Sequence, residues 1–365
     1  MKSKACVAYC LLAALLLHGC AAAPQNGAVQ TPPATTIMMP GTPAPGPAAT
    51  EATAERVEDY FPKLENVRRV YEGVGNEYAS YVAHTEFTQD NKMQLRIENG
   101  GTVSSRVYTL RNGRLTRVLT VPESYVRESF LNSGETESDV LLMEPLAVGT
   151  AWDAAGGQRS VTATNTVVAT PAGDFNTLEV TTQGPDSTAY DYYARGVGLV
   201  KSVYRSGDLE VVSSLSEIEQ DAPFLQVVRL YYPGADGTGR YYREAQLAMA
   251  TNMTLAAAME EAYQVEPEGK AARVFTPGTR ILSLGRGAGN VVLLDLNRAF
   301  ITEKNGGAAF ENGVLHSAAD TFAELFQAEK VLLTIEGKPY TSANITMEEG
   351  EILLAEQTDA EILFD

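Results

Sequence analysis

Residues 102–121, Thr102-Val103-Ser104-Ser105-Arg106-Val107-Tyr108-Thr109-Leu110-Arg111-Asn112-Gly113-Arg114-Leu115-Thr116-Arg117-Val118-Leu119-Thr120-Val121, carry the strongest local structural signal in the chain. Two strand-like runs, Thr102–Leu110 and Arg114–Val121, flank an Asn112-Gly113 pair. Asn-Gly accepts the two positive φ values of a tight hairpin turn, so the stretch predicts two antiparallel strands joined by two residues. The same period-two alternation recurs on both sides of it. Tyr78–Thr88 and Met93–Ile97 precede it; Ser160–Thr170, Thr177–Thr182, Thr188–Tyr193, Leu199–Tyr204 and Leu209–Leu215 follow. No convincing helix interrupts the series, apart from a turn near Val57–Val70. Short strands at regular spacing predict an all-β antiparallel meander over 56–221, curled into an open or half-closed barrel.

Two phrases in this region, Thr170-Pro171-Ala172-Gly173-Asp174-Phe175 and Tyr192-Tyr193-Ala194-Arg195-Gly196-Val197-Gly198-Leu199-Val200-Lys201, resemble a turn and a strand pair of β-rich bacterial lipoprotein domains. The resemblance implies an envelope module and no reaction. Gly196 and Gly198 sit between strands and read as turn or bulge glycines.

Residues 222–365 have a different rhythm. Val227–Tyr232 is a strand, a Pro/Gly-rich loop follows at 233–239, and Arg240–Gln246 is extended. Thr251–Tyr263 is helical, with Asn252 or Thr254 as cap. Arg280–Leu284 and Val291–Leu296 are strands across a glycine turn, Asn312–Ala328 is the best helix, and Val331–Ile335 closes the set. The order strand, helix, strand, strand, helix, strand predicts an α+β domain with helices on a sheet face. In order and spacing, Val228-Arg229-Leu230-Tyr231-Tyr232-Pro233, Thr276-Pro277-Gly278-Thr279-Arg280-Ile281-Leu282, Val291-Val292-Leu293-Leu294-Asp295-Leu296 and Leu332-Leu333-Thr334-Ile335-Glu336-Gly337-Lys338 resemble the GerM-type (GerMN) sporulation and germination domain. The resemblance covers roughly 225–340. It implies a non-catalytic, ring-builder-like module of envelope lipoproteins.

The N-terminus reads as an address. Lys2 and Lys4 precede a thirteen-residue apolar run, Ala5–Leu17. That is too short for a membrane span, which needs about 20 residues, and fits a signal-peptide core. It ends in Leu17-His18-Gly19-Cys20, which resembles the bacterial lipoprotein cleavage box. The resemblance implies removal of residues 1–19 and lipid attachment at Cys20, hence an extracytoplasmic protein held at the bacterial cell membrane. Residues 20–55 read as a disordered Ala/Pro/Thr-rich tether: of residues 21–55, 26 are Ala, Pro, Thr or Gly, and only Glu51 and Glu55 are charged. Such a segment cannot bury enough apolar surface to offset its chain entropy.

Chemistry is sparse. All three cysteines (Cys6, Cys10, Cys20) lie in the first twenty residues, which leaves the rest without a disulfide, thiol nucleophile or cysteine metal site. The 46 acidic residues against 28 basic ones, a net charge of −18, disfavour a nucleic-acid partner. Gly285-Arg286-Gly287-Ala288-Gly289-Asn290 precedes a strand, so it reads as a hairpin turn and not a phosphate loop, whose glycines must open a helix. His316 and Asp320 share a helix face, but two ligands do not make a metal site. His84 reads as a tolerated polar strand residue. No metal, cofactor or catalytic set is predicted; abundant Asp and Glu leave a carboxylate-pair hydrolase open, without evidence for one.

Tyr192-Tyr193, Tyr231-Tyr232 and Tyr241-Tyr242 lie in strands, where neighbours point to opposite faces. One of each pair should enter the core. Tyr231, Tyr232, Tyr241 and Tyr242 are the candidate exposed aromatics for a cell-wall glycan or protein partner; strand propensity and packing are the simpler reading. Residues 339–365 carry seven acids and no base, and read either as a solvated tail or as a partner-binding or sheet-augmenting segment. The expected function is a non-catalytic interaction or assembly module of a cell-envelope protein complex, sporulation- or germination-related. The alternative is an envelope lipoprotein binding a solute or glycan through the β domain. A concave apolar cavity in that domain would favour the alternative.

Overall fold

A computed structural model describes residues 55–356 and 360–363. The signal peptide, Cys20 and almost all of the tether lie outside the described residues. The described residues form one compact unit, built on separate hydrophobic clusters.

After a single helical turn, α1 (Val57–Tyr60), the chain builds a sheet from β1 (Arg68–Val74), β2 (Tyr81–Gln89), β3 (Lys92–Asn99), β4 (Val103–Arg111), β5 (Arg114–Pro122), β6 (Asp139–Met143), β7 (Ala151–Ala154), β8 (Gly157–Thr170), β9 (Gly173–Gln183), β10 (Thr188–Ala194), β11 (Gly198–Ser206) and β12 (Leu209–Glu219). The spatial order is β6-β5-β4-β3-β2-β1-β12-β11-β10-β9-β8-β7, antiparallel throughout. The predicted hairpin is present: Asn112 and Gly113 take φ of 54° and 65°, and Arg111 pairs with Arg114. Gly196 and Gly198 adopt positive φ between β10 and β11, as turn glycines should.

The two edge strands, β6 and β7, are consecutive in the chain, so the sheet curls until its edges face each other. Side chains close the seam in place of a backbone ladder. Trp152 Nε1 donates to the Val140 carbonyl at 2.8 Å. Arg159 Nη1 donates to Asp139 Oδ1 at 2.6 Å and to the Val140 carbonyl at 2.7 Å. The half-barrel expected from the alternation is thus a nearly closed one, with the otherwise aggregation-prone edges covered. Three elements escape the sequence reading. β1 begins in the stretch assigned to a turn, β6 is Asp139 followed by an apolar run without alternation, and β7 has only four residues.

The remaining elements are β13 (Phe224–Pro233), β14 (Arg240–Met249), α2 (Leu255–Gln264), β15 (Ile281–Arg286), β16 (Val291–Leu296), α3 (Ala299–Thr302), α4 (Ala308–Leu325), β17 (Lys330–Ile335), β18 (Lys338–Pro339), β19 (Leu353–Leu354) and β20 (Glu361–Ile362). They form two sheets, β13-β14-β20 and β15-β16-β17-β18, with β19 on β17. Strand β16 runs parallel to β17 across the α3–α4 crossover. Thr254 caps α2, its hydroxyl accepting from the Ala257 N–H at 3.2 Å.

Helix α4 packs against β13 as well as β16, β17 and β19. It is therefore buried on opposite sides, between two sheets, where the sequence suggested one. Its small central residues (Ser317, Ala318, Ala319) permit that close approach, and each is at most 1 % exposed. One core cluster runs through both sheets, with Phe275, Phe300 and Phe322 at its centre, all fully buried.

The last 27 residues are not a solvated tail where they are described. Residues 353–354 pair with β17, and 361–362 extend β14 in parallel, so the segment augments this protein's own sheets.

Candidate functional site

The barrel interior is hollow. Two adjoining cavities, about 80 Å³ and about 470 Å³, share Phe61, Tyr81, Ile97, Arg106, Tyr108 and Leu199 in their walls. The smaller lies toward α1 and is lined by Tyr71, Ala83, Met93 and Leu95. The larger reaches Asn76, Tyr78 and Asn99, on or beside turns at the other end of the strands, and is more polar. Phe61, just beyond α1, inserts from below, with its ring 5.3 Å from Tyr108. The rings of Tyr71 and Tyr81 stack at 4.3 Å, and the Tyr71 hydroxyl donates to the Leu199 carbonyl at 2.7 Å. Burial pushes the Tyr71 phenol up to about 12 and Tyr81 well above its ordinary value.

Charges inside this barrel fall into two sets. Asp139 is satisfied by Arg159 at 2.6 Å and Arg117 at 3.2 Å. Asp191 accepts from the Ser202 hydroxyl at 2.7 Å, and burial raises its carboxyl above the ordinary range. Arg69 and Arg106 are different. Arg69 is 7 % exposed; one terminal nitrogen donates to the Val197 carbonyl at 3.1 Å, while its Nε is buried with no hydrogen-bond partner. The Nε of Arg106 is likewise buried and unpaired, and no side-chain hydrogen bond or ion pair to Arg106 exists among the described residues. Each lies on the same strand parity as an interior aromatic two residues on, Tyr71 and Tyr108. A charged residue on the apolar parity was the available signal in the sequence.

The outer face of β2–β4 is covered rather than solvated. The loop at 123–138 folds across it, and residues 224–254 pack alongside. Arg127 sits at the centre, its side chain fully buried. Its Nε donates to the Met253 carbonyl at 3.1 Å, and Nη2 to the carbonyls of Glu86 at 2.8 Å and Ala250 at 2.9 Å. Glu86, fully buried, accepts from Gln94 at 2.7 Å and Ser105 at 3.2 Å, with Arg96 and Arg127 at 3.8 and 3.9 Å. Its pKa is raised because burial outweighs these partners. His84 is part of this junction, 8 % exposed and edge-on to Phe224 at 5.3 Å. Burial drives its pKa down to about 4. It is thus a junction residue and not merely a tolerated one.

The tyrosine pairs depart from the sequence reading. Tyr231 and Tyr232 are 3 % and 1 % exposed, so neither is an exposed binding aromatic. Both faces of β13 are covered at its C-terminal end, from Leu230 to Pro233. The Tyr231 hydroxyl donates to Glu324 Oε2 on α4 at 2.6 Å, and the Tyr232 ring meets Tyr263 on α2 at 6.0 Å. Tyr241 and Tyr242 are half-buried, and Arg229 lies over the Tyr242 ring at 5.2 Å.

His316 and Asp320 do not form a surface pair. Asp320 is fully buried, accepts from the Glu356 N–H at 2.7 Å and pairs with Arg240, holding the C-terminal segment down. His316 is partly buried, with Nδ1 unpaired among the described residues. Gly285–Asn290 is a hairpin turn, closed by the Gly287 N–H to the Val291 carbonyl at 2.8 Å. Among the described residues no three His, Cys, Asp or Glu side chains gather as a metal cluster.

Together these features define a two-part protein: a hollow β-barrel joined through a buried polar junction to a solid α+β module. Residues 229–341, most of that module, match the Germane family model, described as sporulation and spore germination. No curated protein matches the chain. Among solved structures, the chain is similar to a protein described as exported, with a YmcC-like fold, from Bacteroides fragilis: 14 % identity over 44 % of this chain and 99 % of that one, TM-score 0.29. It is similar too to a protein described as a lipoprotein from Parabacteroides distasonis, with 14 % identity over 44 % of this chain and 98 % of that one, TM-score 0.28. A third, described as a lipoprotein from Clostridium perfringens, has 16 % identity over 36 % of this chain and 87 % of that one, TM-score 0.24.

Proposed function

We propose that this chain is an extracytoplasmic, lipid-anchored envelope protein whose α+β module is a non-catalytic assembly element of a cell-envelope complex connected with sporulation or germination. The Germane match over 229–341 carries the reading. Leu17-His18-Gly19-Cys20 supports the anchor. The module offers apolar side chains to a partner: Leu225, Val227 and Leu282 are 52 %, 60 % and 53 % exposed. Photo-crosslinking in cells tests this, with a photoreactive residue at Val227 or Leu282 against one at Val167 or Tyr204 on the barrel. The reading expects discrete envelope proteins captured from the first two sites and not from the others. No capture, or the same capture from all four, contradicts it. Anchoring has a separate test: Cys20→Ala should leave uncleaved, unacylated precursor.

A second reading rests on a specific observation, the cavity inside the barrel. A wall of Tyr71, Tyr81, Tyr108, Met93 and Leu95 fits a receptor for a small molecule, the alternative in which the β domain binds an envelope solute.

A further inference from the structure

We propose that the barrel interior binds a small organic anion with an apolar body, its negative group held by Arg106 and its body lying on the aromatic wall toward α1. This rests on the receptor reading of the β domain and adds the chemistry of what enters.

Four observations converge. First, Arg106 lines both cavities, the apolar one and the polar one, as do the rings of Tyr81 and Tyr108. Secondly, its Nε is buried without a partner, and so is that of Arg69 in the same pocket wall. A buried charge without a counter-ion is costly, and a guanidinium presents a fork of donors shaped for carboxylate, sulfonate or phosphate oxygens. Thirdly, the carboxylates of the interior are not available to it. Asp139 is held between Arg117 and Arg159, and Asp191 by Ser202. The cationic surplus is therefore local to Arg69 and Arg106, inside a chain whose net charge is −18. An acidic exterior with a cationic cavity admits few anions by simple attraction, so apolar contact within must supply the rest of the affinity. Fourthly, that contact exists: Phe61, Tyr71, Tyr81 and Tyr108 line the same cavity as the two arginines.

Two dyes with the same ring system separate the terms. 1-Anilinonaphthalene-8-sulfonate carries the anion, and N-phenyl-1-naphthylamine lacks it. Both are titrated by fluorescence against the chain lacking residues 1–20, which keeps every described residue. The proposal expects the sulfonate to bind with 1:1 stoichiometry and more tightly than the neutral dye. Arg106→Gln should weaken the sulfonate about tenfold or more, as loss of a charge-assisted hydrogen bond does, and leave the neutral dye within about twofold. Ser213→Trp, which fills the polar cavity from its wall, should reduce both. Near-UV circular dichroism checks that each variant is folded; a misfolded Arg106→Gln is replaced by Arg106→Lys, which should retain part of the preference. Equal affinity for both dyes, or a sulfonate affinity unchanged by Arg106→Gln, overturns the anion site while neutral-dye binding lost in Ser213→Trp would leave the receptor reading standing. Failure of both dyes to bind overturns both.

Discussion

The barrel and the α+β module solve the problem of a protein interior in opposite ways. The module packs three phenylalanines and an alanine-rich helix between two sheets into one continuous core. The barrel leaves roughly 470 Å³ open and lines it with arginines, aspartates and tyrosines. A filled interior is what a rigid assembly element needs. An interior with unpaired donors is a poor way to gain stability and a good way to hold a ligand. The difference teaches that one chain has assigned stability and recognition to separate interiors, joined through Arg127 and Glu86.

The contrast can be broken by substitution. Phe322→Ala should be the most damaging, because the surrounding core cannot collapse onto the void. A loss of about 3–5 kcal/mol is expected in denaturant unfolding. A loss below about 1 kcal/mol would mean that the module is not solid. Arg127→Met removes the cation that bridges the carbonyls of Glu86, Ala250 and Met253. It should cost about 3 kcal/mol and split one cooperative transition into two. A single unshifted transition would show that the junction does not couple the interiors.

The junction should also be acid-sensitive. The His84 pKa lies near 4 in the folded protein against 6.5 unfolded. Between those values the unfolded chain binds more protons, so stability is complete above about 6.5 and is lost as pH falls toward 4. The loss attributable to His84 is at most about 3.5 kcal/mol. Glu98, Arg68, Arg96 and Arg127 also act on His84, and Glu86 has a raised pKa. The clean measurement is therefore the difference between wild type and His84→Gln. The variant should lose less stability between pH 7 and 5. Parallel profiles would remove His84 from the junction's titration. The smallest effect belongs to the turn: Gly113→Ala, at a φ of 65°, should cost about 1 kcal/mol, and more if the new Cβ displaces the adjacent Glu144 side chain.

Much of the fold was legible because its signals are local. Asn112-Gly113 set a hairpin, alternation set most of the meander, and Thr254 capped α2. What stayed hidden depends on distant partners. Glu86, Gln94 and Arg96 look like the solvent parity of exposed strands. They are buried because the 123–138 loop folds across them and residues farther along the chain, such as Phe224 over Arg96, pack alongside. Tyr231 and Tyr232 were misjudged for the same reason, since alternation does not reveal that both faces of β13 are covered at its C-terminal end. The interior site was half legible. Arg106 shares parity with Tyr108, and Arg69 with Tyr71, but the absence of a counter-ion is visible only once the barrel closes.

Hydrogen–deuterium exchange with and without 1-anilinonaphthalene-8-sulfonate tests the division of labour most directly. The account predicts added protection in β1, β2, β4 and β11, which supply Arg69, Tyr71, Tyr81, Arg106, Tyr108 and Leu199, and none within 229–341. Protection confined to 229–341, or spread evenly over both regions, would contradict it.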